Sequence, residues 1–466
     1  MVPNILLIRL LAPNPLFFWA YVLPFIYWAY LVLTTNFVIV FDSEDYVRLA
    51  NILYHPSNWA EYFRIGPSRE PLYPLIIAFS LHLGHWLNIS YEYVLRTVSF
   101  LLLALTMVFI HLSLRKINAR PWIQALAILY TGLSPILINS ALCVYSEIAT
   151  FPFLVAAVFF GWLFMDSLQE MNGPLYPSCG LALSLLAFTM VKGLGEGLAP
   201  LFLFCLIVYS WKKCGGGFLQ FLKRSKIKIL IIVLILYIPL IGFRLLNYSF
   251  NNHFTFTSRA DVNLFGNLMR RSHVPLNVTN FMSHLLTIPV SHDLCGSYYP
   301  DSVCSQWSMI NSDGTFYTRQ NQLNQLNLSE SQKNKIYVHE ITQDLLTNPL
   351  AQSTYFIQEG FKMFFWETTQ GPFVIYPQWL EKFLNQRWLA LSMCFGIGFI
   401  CLIAYLKSFT MLNNKLILLT ITLLSLLIFL YSFFHIIHRY ATIAGPLLIL
   451  LTFACIDGII KSRAKP

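Results

Sequence analysis

The stretch Leu72-Tyr73-Pro74-Leu75-Ile76-Ile77-Ala78-Phe79-Ser80-Leu81-His82-Leu83-Gly84-His85-Trp86-Leu87 decides how the chain is threaded. It is apolar, but it is short for a membrane span and carries two histidines. A spanning helix needs about 20 apolar residues. Ten other runs approach or meet that test. They are Leu16–Val40, Tyr91–Leu114, Pro121–Cys143, Ile148–Leu168, Ser178–Val191, Leu198–Trp211, Ile227–Tyr248, Trp388–Leu406, Leu416–His435 and Tyr440–Ile460.

Charge decides whether Leu72–Leu87 crosses. Short cytoplasmic loops collect Lys and Arg. The basic clusters are Arg115-Lys116 with Arg120, Lys212-Lys213 with Lys223-Arg224, Lys226 and Lys228, Lys407 with Lys415, and Lys461 with Arg463 and Lys465. With the N-terminus inside, all of them fall inside if Leu72–Leu87 stays on one side. If it crosses, every one falls outside. The expectation is therefore an all-α polytopic membrane protein with about ten spans. Both termini are cytoplasmic, and Leu72–Leu87 is a juxtamembrane helix beside the outer leaflet.

Composition agrees with that class. Of 466 residues, 56% are hydrophobic and 11% charged, against about 25% charged in soluble domains. Mean hydropathy is +0.60. The net charge of +10 does not point to nucleic acid, because the basic residues are scattered and many flank apolar runs. They suit membrane lipid or phosphate. The nine cysteines show no metal-ligand spacing. Most sit in apolar runs as packing residues. Cys295 and Cys304 lie in a polar loop, where a disulfide is open to them if that loop is extracytoplasmic. The first apolar run is too long for a cleavable signal peptide and lacks its small-residue site.

Three regions follow. Residues 1–249 form an N-terminal membrane module whose first external loop is 41–90. Residues 250–386 form an extracytoplasmic region. Within it, Pro349–Trp366 reads as an amphipathic helix at the outer interface, with Leu350, Phe356, Ile357, Phe361, Phe364 and Phe365 as its apolar positions. Residues 387–466 form C-terminal spans.

The predicted outer side gathers the charges that are costly near lipid. In Asp42-Ser43-Glu44-Asp45, directly after the first apolar run, an acid can act as a catalytic base. It can equally begin a helix, where Asp42 or Ser43 caps and Glu44 and Asp45 favour the positive end. Arg69, ahead of Pro71, can grip a phosphate by a bidentate contact or snorkel to the interface. Glu147 follows a short outer turn and can be a site acid or a first-turn helix acid. Lys192, before Gly193, can neutralise a leaving phosphate or sit solvated in its loop. Arg96 lies one turn into a span, either paired with an acid or snorkelling outward. Arg439 precedes Tyr440 at a membrane edge. His435 and His438 form only a weak zinc pattern.

These pieces, in order, resemble the GT-C superfamily of polytopic glycosyltransferases, nearest to the branch of protein O-mannosyltransferases and the lipid A aminoarabinose transferase. The resemblance rests on Asp42 with Tyr46 and Ala50, on Arg69 with Pro71-Leu72-Tyr73-Pro74, and on Arg96, Glu147, Lys192-Gly193 and Arg439-Tyr440. It departs where Ser43 follows Asp42 and where Glu70 separates Arg69 from the proline.

The resemblance implies a polyprenyl-phosphate sugar donor used on the extracytoplasmic face, with a glycan, lipid or protein acceptor. It implies inverting displacement with Asp42 as base; Glu44 and Glu147 are the further candidate catalytic acids, next in line for that role. Arg69, Arg96, Lys192 and Arg439 would bind the donor phosphate. No cofactor is called for; a divalent metal stays open, since members of the superfamily differ in this, and no ligand set stands out. Compact loops favour a bacterial inner membrane. A transporter or flippase of a lipid-linked or small anionic substrate is the alternative, but it would carry charges near the midplane and repeat symmetry. A non-catalytic scaffold would depend on the 250–386 region instead.

Overall fold

A computed structural model describes residues 15–40, 42–65, 69–170, 173–214, 217–252, 254–257, 274–287, 295–307, 315–326, 328, 330–364, 374–384, 414–433 and 438–463. The protein is all-helical, with no strand among the described residues. The helices used below are α1 (Pro15–Thr34), α2 (Asp42–Tyr54), α3 (Trp59–Arg64), α4 (Leu72–Leu87), α5 (Tyr91–Lys116), α6 (Pro121–Leu133), α7 (Pro135–Leu142), α8 (Glu147–Gln169), α9 (Tyr176–Val191), α10 (Gly195–Cys214) and α11 (Phe218–Asn251). After them come α12 (Val278–Leu286), α13 (Asp301–Ser305), α14 (Thr315–Gln325), α15 (Glu330–Thr347), α16 (Pro349–Lys362), α17 (Gln378–Leu384), α18 (Lys415–Tyr431), α19 (His438–Ala441) and α20 (Gly445–Arg463).

Five described helices are long and apolar enough to cross a membrane, six if a bent pair counts as one. The bend explains part of the difference from ten. Pro121–Cys143 is not one helix but α6 and α7, turned by 44°. Pro135 has no N–H for the ladder, and it drives Ser134 out of helical geometry, to φ −59° and ψ 116°. Among the other expected spans, α9 and α18 are apolar but shorter, at 16 and 17 residues. Trp388–Leu406 lies outside the described residues.

Burial sorts the bundle. In α8 and α20, 72% of the apolar window is buried, against 22% in α1 and α11. The first two are central and the second two peripheral, with apolar side chains facing outward. Close contacts hold α1 to α6. The Trp28 indole donates to the Gly132 carbonyl at 2.7 Å. Gly132 leaves room for Pro24, whose Cγ would lie 2.6 Å from any Cβ placed there.

The two ends of the bundle differ in charge. At one end Asp166 receives Lys116 at 3.2 Å and Lys415 at 2.6 Å. Lys228 caps the end of α8 through the Ser167 carbonyl. At the end of α20, Lys461 meets Asp457 at 2.6 Å and the Asn118 carbonyl at 2.7 Å. Basic residues from four of the expected cytoplasmic clusters thus share one end. The opposite end carries Asp42, Arg69, Glu147 and Lys192.

Helix α4 stays at that second end. It starts beside Tyr46, with the Tyr46 and Tyr73 rings 5.1 Å apart. It then runs alongside α2, with Tyr54 and His82 rings 4.3 Å apart. Asn88 ends it in left-handed geometry at φ 54°. The chain turns at once into α5, where Tyr91 meets Phe37 at 5.9 Å and Arg96 reaches Thr35 at the end of α1. Both ends of α4 therefore lie at the same end of the bundle.

Candidate active site

The site begins with a knot where α1 leaves the bundle. Val38 pairs with Cys143 in an isolated parallel bridge. The Ser43 hydroxyl donates to the Val40 carbonyl at 2.5 Å and accepts from the Val40 N–H at 2.6 Å. The Tyr145 hydroxyl donates to the same carbonyl at 3.3 Å. These bonds set the start of α2, with Asp42, beside the start of α8, with Glu147.

Two ion pairs form there. Arg69 bonds Asp42, and its Nε lies 3.6 Å from Asp45. Asp45 also takes Arg48 at 3.2 Å. Lys192 bonds Glu147 at 2.9 Å, and both side chains are largely buried. One tyrosine lies between the pairs. Arg69 stacks over the Tyr46 ring at 5.0 Å, and the Tyr46 hydroxyl bonds Ser146 at 2.9 Å. On the far side, Lys192 lies 5.2 Å from the Tyr440 ring.

The electrostatics keep both cations charged. Burial, the largest single influence, works against the Lys192 charge, but Glu147 together with Tyr46, Tyr431 and Tyr440 lifts the pKa above the ordinary lysine range. Burial likewise opposes Arg69, while Tyr46 and Asp42 raise it further. Burial pushes the Tyr46 phenol up, against the pull of Lys192 and Arg69, so it stays neutral and can donate a hydrogen bond.

A third acid ties the halves together. Glu70 accepts from the Gly193 N–H at 2.7 Å, and a Cβ on Gly193 would stand 3.2 Å from the same oxygen. Beyond this turn, Glu196 holds Arg244 by two bonds, at 3.0 and 2.5 Å.

The structure thus brings together Asp42, Glu147, Arg69 and Lys192. Glu44 is on the exposed side of α2. Arg96 touches neither ion pair: it donates to the Thr35 carbonyl at 3.0 Å and lies 5.0 Å from the Tyr93 ring, at the carboxyl end of α1. The side chains of Arg439 and His438, and the whole of His435, lie outside the described residues. Glu70 and Ser146 are the site members given no role from sequence. Glu70 had a visible signal, an acid wedged between Arg69 and Pro71. Ser146 had none.

Among the described residues no three His, Cys, Asp or Glu side chains come together as a metal-binding group. The local donor set does not fit a cation either, since Asp42 and Asp45 both face Arg69. Cys295 and Cys304 form a disulfide with Cα atoms 5.8 Å apart.

No protein family matches this chain, and no curated protein or solved structure does.

Proposed function

We propose that this chain is an integral membrane glycosyltransferase of the GT-C type that uses a polyprenyl-phosphate sugar donor. The observation that carries the reading is the double ion pair: two acids, Asp42 and Glu147, each engaged by a cation, Arg69 and Lys192, around buried Tyr46. A phosphate needs both cations, and an attacking hydroxyl needs one acid.

A carboxylate bound to a guanidinium is a poor base. Donor phosphate competes for Arg69 and so frees Asp42. The acceptor hydroxyl then passes its proton to Asp42 while its oxygen bonds the anomeric carbon. The bond from that carbon to the phosphate oxygen breaks, and its electron pair leaves on polyprenyl phosphate. Arg69 and Lys192 stabilise the added negative charge where it develops. Glu147 holds Lys192 in place. Attack opposite the leaving group inverts the anomeric centre. The acceptor is a glycan, lipid or protein.

The active face is taken as extracytoplasmic, in a bacterial inner membrane. Two features support that side. Basic residues collect at the other end of the bundle. The Cys295–Cys304 disulfide belongs to the polar region at the site end, and disulfides persist in oxidising compartments.

The test is to incubate wild type and Asp42→Asn with a mixture of polyprenyl-phosphate sugars and an acceptor-rich membrane extract, reading free polyprenyl phosphate by mass spectrometry. Release by wild type alone supports the reading and identifies the sugar. Release by both keeps the enzyme and moves the base elsewhere. Release by neither rejects the enzyme in favour of a transporter, which moves its substrate intact.

A further inference from the structure

Helices α12 and α16 are built inside out. In water an amphipathic helix buries its apolar stripe and exposes its polar face. In α16 the buried side chains include Gln352, Gln358, Glu359 and Lys362, while Leu350 is 72% exposed and Ile357 60%. In α12 the buried residues are Asn280, Ser283 and His284, while Val278 is 79% exposed.

The inward polar groups largely satisfy one another; Gln352 donates to Asp344, and only its Oε1 is left without a hydrogen bond on the buried side of α16. His284 Nδ1 pairs with Gln358 at 2.7 Å, and its Nε2 lies 3.2 Å from Glu359. Glu359 takes Lys362 at 3.0 Å. Trp307 donates to Ser283 at 2.9 Å, and Gln306 to Asn280 at 3.1 Å. A polar seam closed largely on itself suits a low-polarity surround, because an unmet polar group there is costly.

We propose that the α12–α16 pair is embedded in the bilayer leaflet at the site end, with the stripe Leu350, Ile357 and Phe361 against lipid acyl chains. An interfacial helix lying on the surface would keep its polar face in water; here that face is turned inward. Continuity with α18 selects lipid as the occupant. Phe356 packs on Phe429 and Phe433 at ring distances of 5.7 and 4.8 Å. Phe429 is itself 48% exposed on an apolar helix. Gly360 lets the two helices meet, since a Cβ there would stand 2.9 Å from the Ser432 hydroxyl. The apolar stripe therefore extends the outward face of the bundle. It also brings acyl chains close to Tyr431, whose ring lies 6.0 Å from Tyr440 of the site.

The experiment uses the wild-type chain in nanodiscs containing phosphatidylcholine with a mid-chain diazirine. After illumination, adducts are mapped by mass spectrometry, and hydroxyl-radical footprinting is run on the same sample. Acyl adducts on residues 350–361, at yields similar to the Phe429 peptide, are expected. Hydroxyl modification without acyl adducts would show an aqueous surface and overturn the proposal. Protection from both would show a protein cover, a second copy included, and would also overturn it. As an independent check, Ile357→Asp should lower the thermal midpoint in nanodiscs by several degrees. No shift would argue for a water-facing site.

Discussion

The Glu70 carboxylate accepts a hydrogen bond from the Gly193 backbone N–H at 2.7 Å, joining the loop that carries Arg69 to the turn that carries Lys192. The two cations of the site are thus held at a fixed separation by a residue that is itself an acid. A hydrogen bond to a charged group contributes about 1.5–3 kcal/mol. Glu70→Ala should cut donor turnover about tenfold or more while the protein remains folded. Glu70→Gln keeps an acceptor oxygen and should retain most of the rate. The rate of polyprenyl phosphate release by the two variants checks this. Equal loss in both would mean that the charge of Glu70, and not its tether, matters.

The Lys192–Glu147 pair makes a sharper prediction for stability. Lys192→Met leaves Glu147, which is 2% exposed, as a buried charge without its cation. Breaking one side of such a pair costs about 3–5 kcal/mol. Removing both charges in Lys192→Met/Glu147→Gln should recover much of the thermal midpoint and none of the activity. If the double variant melts as low as the single one, the pair is not the source of the loss.

The pH dependence of that pair follows from its sign. The folded pKa of Lys192 is raised, first against burial and then by Glu147. Its stabilisation is fully present below the ordinary lysine value and is lost only as pH rises through the higher folded value. Wild type and Lys192→Arg should therefore show parallel melting curves from about pH 6 to 9, well under the ordinary lysine pKa of about 10.4. A Lys192-dependent change within that window would contradict the raised pKa that its pair with Glu147 supports.

The one-sided course of Leu72–Leu87 was legible in the sequence because charge bias acts on whole loops and needs no contacts. The break at Pro135 was visible as a residue type but lost inside an apolar run. The site was legible as an ordered set of charges, not as pairs. Arg69 lies 27 residues from Asp42, and Lys192 45 from Glu147, so only packing brings them together. Arg96 was the hardest, because its partner is a backbone carbonyl at the end of α1, which no side-chain pattern marks. In α16, periodicity revealed an apolar stripe but could not say whether it meets the core or the lipid.

Arg69 contacts Asp42, Asp45 and the Tyr46 face at once, which suits a planar guanidinium. Lysine can keep the charge but not all three contacts. Arg69→Lys should weaken donor use by about 10–100-fold, chiefly in KM, given the roughly 1.5–3 kcal/mol of a charged hydrogen bond. Steady-state rates over a donor series check it. A loss confined to kcat, with KM unchanged, would place Arg69 in the chemical step alone.

Two glycines allow a matched test of the bundle. A Cβ on Gly132 would fall 2.6 Å from Pro24 Cγ, inside a contact where the chain cannot yield without moving α1 from α6. The same shift would strain the 2.7 Å bond from Trp28 to the Gly132 carbonyl. Gly132→Ala should therefore destabilise by about 1–3 kcal/mol, the usual range for overpacking. Gly242, in the middle of α11, has nothing within 4 Å of the same position. Gly242→Ala should be neutral or stabilising by up to about 1 kcal/mol, because alanine is the better helix former. Thermal melts of both variants in one detergent decide the matter. Equal behaviour would mean that α1 does not pack on α6 as closely as the Pro24 contact requires.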